Sequence, residues 1–317
     1  MMIEAHGLVK DYGNVRAVKG LDLSVDNEIY GLLGPNGSGK TTTVNMLTTM
    51  LTITEGTASV CGYDVRKDAA KVRECISYVP QDMAVDARLK GRENVDLFAK
   101  LYGIRNRAER RRRVDEVLEI MNLADRADDY TSTYSGGMRR RLELAQALVH
   151  NPKVLFLDEP TVGLDVASRR SIWEYIVKLR DSGVTIFVTT HQMDEAERYC
   201  DRVGILKKGV LMKEGKPDEL TAGMDSIITI RTEGGFPTKV PDSVQQIEFK
   251  DGLAVFTSPD GSASLPELVR CYEADGIKIF SSSVREPTLE DIYMLSVGPQ
   301  EEGAFDATQF RNMMRRR

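Results

Sequence analysis

The sequence predicts an α/β fold of the doubly wound kind, followed by a smaller α+β domain. Three observations carry this. Short β-branched runs alternate with longer stretches of helical periodicity from the start to about Glu219. Two of the runs, Val154-Leu155-Phe156-Leu157 and Val184-Thr185-Ile186-Phe187-Val188, are almost wholly apolar, as expected of parallel strands covered on both faces. After Gly215-Lys216-Pro217 the composition shifts and strand-like runs cluster.

In chain order, Ile29–Leu33 and Ile76–Val79 are further strands. Helical spacing is carried by Val95, Phe98, Leu101 and Tyr102, then by Val114, Val117, Leu118 and Met121. In the second half, strands are expected at Ser226–Thr232, 244–250 and Leu253–Ser258, with Asp251-Gly252 as a hairpin turn. Ser264-Leu265-Pro266-Glu267 reads as a capping box opening a helix. A strand at 277–282 and a short helix capped by Thr288 complete the pattern. The expected domains are 1–221 and 222–298. A tail over 299–317 lacks periodicity and is expected to be flexible.

Composition excludes several classes. Hydrophobic residues make up 41% and charged residues 29%, an ordinary globular balance. The net charge of −5 provides no general basic field for nucleic acid. The longest stretch without charge, 41–54, is half threonine and too short to span a bilayer. The N-terminus, Met1-Met2-Ile3-Glu4, has neither the basic end nor the apolar core of a secretory signal. Cys61, Cys75, Cys200 and Cys271 are scattered and read as reduced core thiols, not as a zinc site. The basic run at 110–113 is interleaved with acids and reads as a solvated helix face.

Two motifs carry chemistry. Gly34-Pro35-Asn36-Gly37-Ser38-Gly39-Lys40-Thr41, followed by Thr42, satisfies G-x-x-x-x-G-K-[ST] directly after a strand. Its glycines let backbone N–H groups turn inward around phosphates, at the positive end of the following helix. Lys40 then reaches the β- and γ-phosphates, and the Thr41 hydroxyl is a Mg²⁺ ligand. The apolar strand ending at Asp158-Glu159 delivers a second Mg²⁺ partner, Asp158, and a candidate general base, Glu159, to the ligand edge of the sheet. Together they indicate hydrolysis of a nucleoside triphosphate.

A third motif narrows the class. Tyr134-Ser135-Gly136-Gly137-Met138-Arg139, upstream of Asp158, offers a serine hydroxyl and bare backbone N–H groups at a helix start. In this order and company it resembles the signature motif of ATP-binding cassette (ABC) proteins. The resemblance covers most of the first 220 residues or so, including a helical subdomain at about 84–148. It implies that Tyr12 stacks on adenine, that Gln81 is the Q-loop residue contacting metal or attacking water, and that Asp165 lies in the D-loop. It further implies that His191 is the switch histidine meeting the γ-phosphate, and that Ser135, Gly136 and Gly137 grip the nucleotide held by a second copy. Met138 and Val162 depart from the usual pattern without removing Ser135 or Gly137.

The run from Ser135 to Leu148, with Gly91-Arg92-Glu93-Asn94 and Glu286-Pro287-Thr288-Leu289-Glu290-Asp291, is similar to the ABC-2, daunorubicin-resistance-type exporter branch. That branch implies a Mg²⁺-dependent ATPase powering export of a drug or lipid-like substrate. Its partners would be a separate transmembrane permease and a second cassette in a homodimer, without nucleic acid. The expected location is cytoplasmic, peripheral at the inner face of the cell membrane. The alternatives weighed are a soluble ABC ATPase acting on nucleic acid and a regulator without transport. The usual long coiled coil or tandem cassette of the nucleic-acid class has no counterpart in the sequence.

Overall fold

A computed structural model of the chain describes residues 1–82 and 84–297. It divides into two compact units, Met1–Lys216 and a second beginning at Pro217. This division precedes the boundary expected after residue 221.

The first unit opens with the hairpin β1 (Ile3–Tyr12) and β2 (Val15–Val25), then β3 (Ile29–Leu33) and α1 (Lys40–Leu47). Next come β4 (Glu55–Val60), β5 (Tyr63–Asp64), α2 (Ala69–Cys75) and β6 (Ile76–Val79). The helices α3 (Gly91–Leu101), α4 (Arg107–Ile120) and α5 (Gly136–Leu148) follow. The unit closes with β7 (Val154–Asp158), α6 (Val166–Asp181), β8 (Thr185–Thr190), α7 (Met193–Tyr199), β9 (Arg202–Lys207) and β10 (Val210–Gly215).

Six strands form the central sheet in the order β10-β9-β3-β8-β7-β6, parallel throughout except for β10. Every residue of β3, β7 and β8 is buried, which is why these segments read as unbroken apolar runs. Phe187 on β8 packs between Tyr30 and Phe156 of the neighbouring strands, with ring centroids 5.3 and 5.6 Å away. The crossing order of a doubly wound sheet places ligands at the carboxyl ends of its strands. Register does so here. Leu33 pairs with Thr190, Asp158 with Thr189, and Val79 with Leu157, so the segments leaving β3, β6, β7 and β8 emerge at one edge.

A second, antiparallel sheet has the order β2-β1-β4-β5. The sequence reading did not identify it. Its strands break strict alternation, burying Leu8, Val9 and Lys10 in a row and exposing Lys19 beside Gly20, and β1 carries bulges, one of them at Gly7 with φ of 57°. Both interruptions weaken the period-2 signal. The two sheets share one core with α1, through Leu8, Leu21, Val44, Phe156 and Phe187 among others.

The second unit comprises α8 (Pro217–Thr221), β11 (Ser226–Thr232), β12 (Gln245–Lys250), β13 (Leu253–Ser258), α9 (Gly261–Ala274), β14 (Ile279–Arg285) and α10 (Leu289–Val297). Its antiparallel sheet, β12-β13-β11-β14, packs Ile228, Ile230 and Phe256 with Leu268 and Tyr272 of α9. Helix α8 contacts α10, which is why it groups with this unit. Asp251 and Gly252, at φ of 50° and 74°, make the expected hairpin turn.

Two local expectations are corrected. Helix α9 starts earlier, because Asp260 caps it by accepting the Ala263 N–H at 2.9 Å, and Ser264 lies inside the helix bonded to Ser258. The last strand starts at Ile279 and not at 277, because the Ile277 N–H donates to the Tyr272 carbonyl and closes α9. The tail expected over 299–317 lies outside the described residues.

Trp173, the one tryptophan, is buried in the first unit with its ring stacked on Tyr199, so its emission reports that unit alone. Phe156→Ala is expected to lower the stability read by Trp173 emission in a urea titration by about 3–5 kcal/mol. A loss below about 1 kcal/mol would show that the central strand is not packed as described.

Candidate active site

The phosphate-loop residues follow β3 directly. Gly39 holds φ of 109°, and a Cβ there would lie 2.7 Å from the Ala17 carbonyl oxygen of β2. A Cβ on Gly34 would meet the Leu206 carbonyl oxygen at 2.4 Å and Ser38 Oγ at 2.6 Å. Only glycine lets this loop close against β2 and β9 and leave its backbone bare. Ser38 is buried, and its hydroxyl has no hydrogen-bond partner among the described residues.

Lys40 is the first residue of α1 and is 6% exposed. Its ammonium donates to the carbonyls of Gly34 at 2.7 Å and Pro35 at 3.3 Å, and stands 3.6 Å from Glu159 Oε1. Burial pulls the Lys40 pKa below its ordinary value, and the carboxylates of Glu159 and Asp158 oppose that fall.

Glu159 follows β7 in a left-handed backbone conformation, φ 51°, which costs a non-glycine residue about 1–3 kcal/mol. Its N–H is held by the carbonyl and the hydroxyl of Thr189, at 3.1 and 3.2 Å. Its other carboxylate oxygen, Oε2, lies 2.6 Å from Nδ1 of His191. An ionised Glu159 only accepts, so Nδ1 carries the proton in this contact and Nε2 is left for a further partner. His191 is half exposed, whereas Glu159 is 5% exposed.

Asp158 is also buried. Its carboxylate accepts the Thr189 hydroxyl and makes a long contact, 3.5 Å, with the Tyr78 hydroxyl. Burial and then the Asp158 charge push the Tyr78 hydroxyl up to about 12, so it remains a donor at neutral pH. The structure therefore joins Lys40, Asp158, Glu159 and His191 into one cluster. Thr189 is the shared brace that sequence reasoning missed. The one signal for it was its place on β8 two residues before His191.

Ser135, Gly136 and Gly137 form a second group. Ser135 caps α5 by accepting the Met138 N–H at 3.2 Å. Asp165 caps α6 by accepting the Ser168 N–H at 2.9 Å, and the Ser168 hydroxyl holds its carboxyl below the usual range. Gly137 lets the two helix starts meet, since a Cβ there would lie 2.5 Å from Ser168 Oγ. No hydrogen bond or ion pair joins Ser135 to Lys40 among the described residues.

Three site candidates stand apart from these contacts. Tyr12 is 48% exposed at the end of β1, with the Lys10 ammonium 5.3 Å from its ring. Its pairing with Val15 brings it beside the β2 segment that carries Ala17 and touches Gly39. Thr41 is exposed on the first turn of α1. Gln81 is exposed, and its amide makes no hydrogen bond among the described residues.

The family model for ABC transporters matches residues 18–162. A daunorubicin resistance ATP-binding protein of Streptomyces coeruleorubidus is 38% identical, over 93% of this chain and 96% of that one. The linearmycin resistance ATP-binding protein of Bacillus subtilis (strain 168) is 35% identical, over 94% and 98%. Among solved structures, a dimeric ATP-binding cassette in a post-hydrolysis state with ADP and Pi matches with a TM-score of 0.61 at 29% identity, over 68% of this chain and 98% of that one. A phosphate-binding loop, a buried lysine, two strand-end carboxylates and a histidine at one sheet edge thus occur in a sequence with such relatives along nearly its whole length, and the chain belongs to the ABC transporter family as an ATP-hydrolysing subunit of the drug-resistance exporter branch.

Proposed function

We propose that this subunit hydrolyses Mg-ATP at the Lys40–Glu159–His191 cluster and drives a membrane permease carried on a separate chain, with a second copy completing each nucleotide site. The observation that carries the reading is that cluster: a buried ammonium, a buried carboxylate and an accessible imidazole in continuous contact at the carboxyl edge of a parallel sheet. In this reading Lys40 binds the β- and γ-phosphates, Glu159 accepts a proton from the attacking water, and His191 meets the γ-phosphate. Gln81 helps to orient the water.

The Thr41 hydroxyl and the Asp158 carboxylate are hard oxygens of the kind that would hold Mg²⁺. When bound, the ion would neutralise charge on the terminal phosphates. Ser135, Gly136, Gly137 and Asp165, gathered at two adjoining helix starts, present N–H groups to nucleotide on the second copy. The dimeric relative supports that arrangement. Tyr12 flanks the adenine.

No helix of the described residues is long and apolar enough to cross a membrane. A location at the inner face of the cell membrane, held by the permease, fits relatives named as ATP-binding proteins for daunorubicin and linearmycin resistance. Those names also support a drug-like cargo. The permease's docking site is assigned to the groove of about 750 Å³ between α3 and α4, where Leu97 is 42% exposed among Arg92, Asp96 and Arg110.

Lys40→Ala is expected to abolish tight ATP binding. Glu159→Gln should retain affinity while hydrolysis falls by at least about a hundredfold. It should also accumulate an ATP-bound dimer in size-exclusion chromatography. Normal turnover in Glu159→Gln would assign the base elsewhere. In a detergent pull-down the subunit should recover a protein of several spanning helices, and Leu97→Glu should weaken that recovery without changing the isolated subunit's ATPase activity. Undiminished recovery would move the docking site, and recovery of nucleic acid alone would sink the exporter reading.

A further inference from the structure

We infer that Arg140, locked by Glu143, is a positioning residue that ties the loop carrying Gln81 and the strand end carrying Glu159 to the helix that begins at Ser135. Arg140 and Glu143 lie on α5 and are 3% and 4% exposed. The guanidinium uses its whole fork. Nε donates to the Pro160 carbonyl at 2.8 Å, and Nη1 donates to the Pro80 carbonyl at 2.9 Å and to Glu143 Oε2 at 2.8 Å. Nη2 makes longer contacts with the carbonyls of Asp158 at 3.4 Å and Glu159 at 3.5 Å. The remaining Glu143 oxygen accepts the backbone N–H of Ala84 at 2.6 Å. One buried ion pair therefore holds both sides of the Gln81 turn, through Pro80 and Ala84, and the turn just past the catalytic carboxylate.

Stability alone is a weak reason for such a pair, because apolar residues of similar volume often serve as well or better. Specific geometry is a stronger one. A lysine has one nitrogen and cannot reach these separated carbonyls together, whereas the planar fork of arginine does. The acceptors also match what the site needs. Glu159 sits in a left-handed backbone conformation, with its N–H fixed by Thr189 on one side and the Pro160 carbonyl fixed by Arg140 on the other. Ser135 lies on the same rigid helix, about one and a half turns upstream. A displacement of that helix start therefore pulls on Pro80 and Pro160 together. The pair converts the position of the Ser135 loop into the position of the Gln81 turn and of the Glu159 carboxylate.

This inference rests on the assignment of Glu159 and Gln81 to the hydrolytic site. It is tested in the full chain with the double variant Arg140→Met/Glu143→Leu, which keeps the volume and removes the link, alongside Arg140→Lys and Glu159→Gln. The double variant should retain ATP affinity and KM within about threefold, as loss of an interaction specific to the transition state requires. Its kcat should fall about ten- to a hundredfold, the scale of a small misplacement of reacting groups. Arg140→Lys should fall between the double variant and the parent chain. Without nucleotide, the Ala84 amide should exchange slowly in the parent chain and rapidly in the double variant. Unchanged kcat in a folded double variant, or parallel loss of kcat, affinity and melting temperature, would overturn the inference. Rapid exchange of Ala84 in the parent chain would also overturn it and needs no variant. If Glu159→Gln keeps full turnover, the base assignment fails instead, and the exchange at Ala84 still decides whether the link exists.

Discussion

A buried ammonium needs oxygen around it, and much of the site is organised by that need. Lys40 finds it in two carbonyls of its own loop and in Glu159. The first two exist because the loop turns tightly at glycines packed against β2 and β9. The third exists because β7 ends at the same edge as β3 and because the turn after it swings a carboxylate inward. The fold therefore supplies, before any ligand arrives, a cation whose present partners are of a kind that phosphate oxygens can replace.

Thr189 shows how economically the sheet does this. One side chain on the strand between the loop and the carboxylates donates to Asp158 and accepts from the Glu159 backbone. A parallel register sets that neighbour opposite Asp158, and a one-residue slip would turn it to the other face. The chemistry of two adjacent acids is separated in this way. Asp158 meets hydroxyl donors, while Glu159 meets a lysine and a histidine.

Much of this was legible in the sequence where residue type and spacing carry the meaning. The loop Gly34–Lys40, the strand ending at Asp158 and the histidine after β8 need particular atoms at particular strand ends, and no other pattern supplies them. The fully buried parallel strands were legible for a similar reason, since burial on both faces leaves an apolar run. What remained hidden depends on neighbours distant in sequence. Strands β1, β2 and β4 are half exposed and interrupted by bulges. Ser264 looked like a cap because its spacing to Glu267 was right, yet Asp260 had already opened the helix. Arg140 and Glu143 carry no local mark of their role, because nothing near them in sequence says that the carbonyls of Pro80 and Pro160 converge on them. Their i,i+3 spacing on the face that also holds Leu144 and Ala147 was the one available hint.

The left-handed backbone at Glu159 has a consequence for how such a chain ages under mutation. A glycine there would relieve the roughly 1–3 kcal/mol of backbone strain. It would also remove the carboxylate that faces the buried Lys40 ammonium, and losing one partner of a buried ion pair costs about 3–5 kcal/mol. Backbone strain and side-chain pairing therefore pull in opposite directions at one codon, and the pairing outweighs the strain. The strained turn and the buried pair thus stand as one unit, and no substitution at this position relaxes the backbone without stranding the lysine.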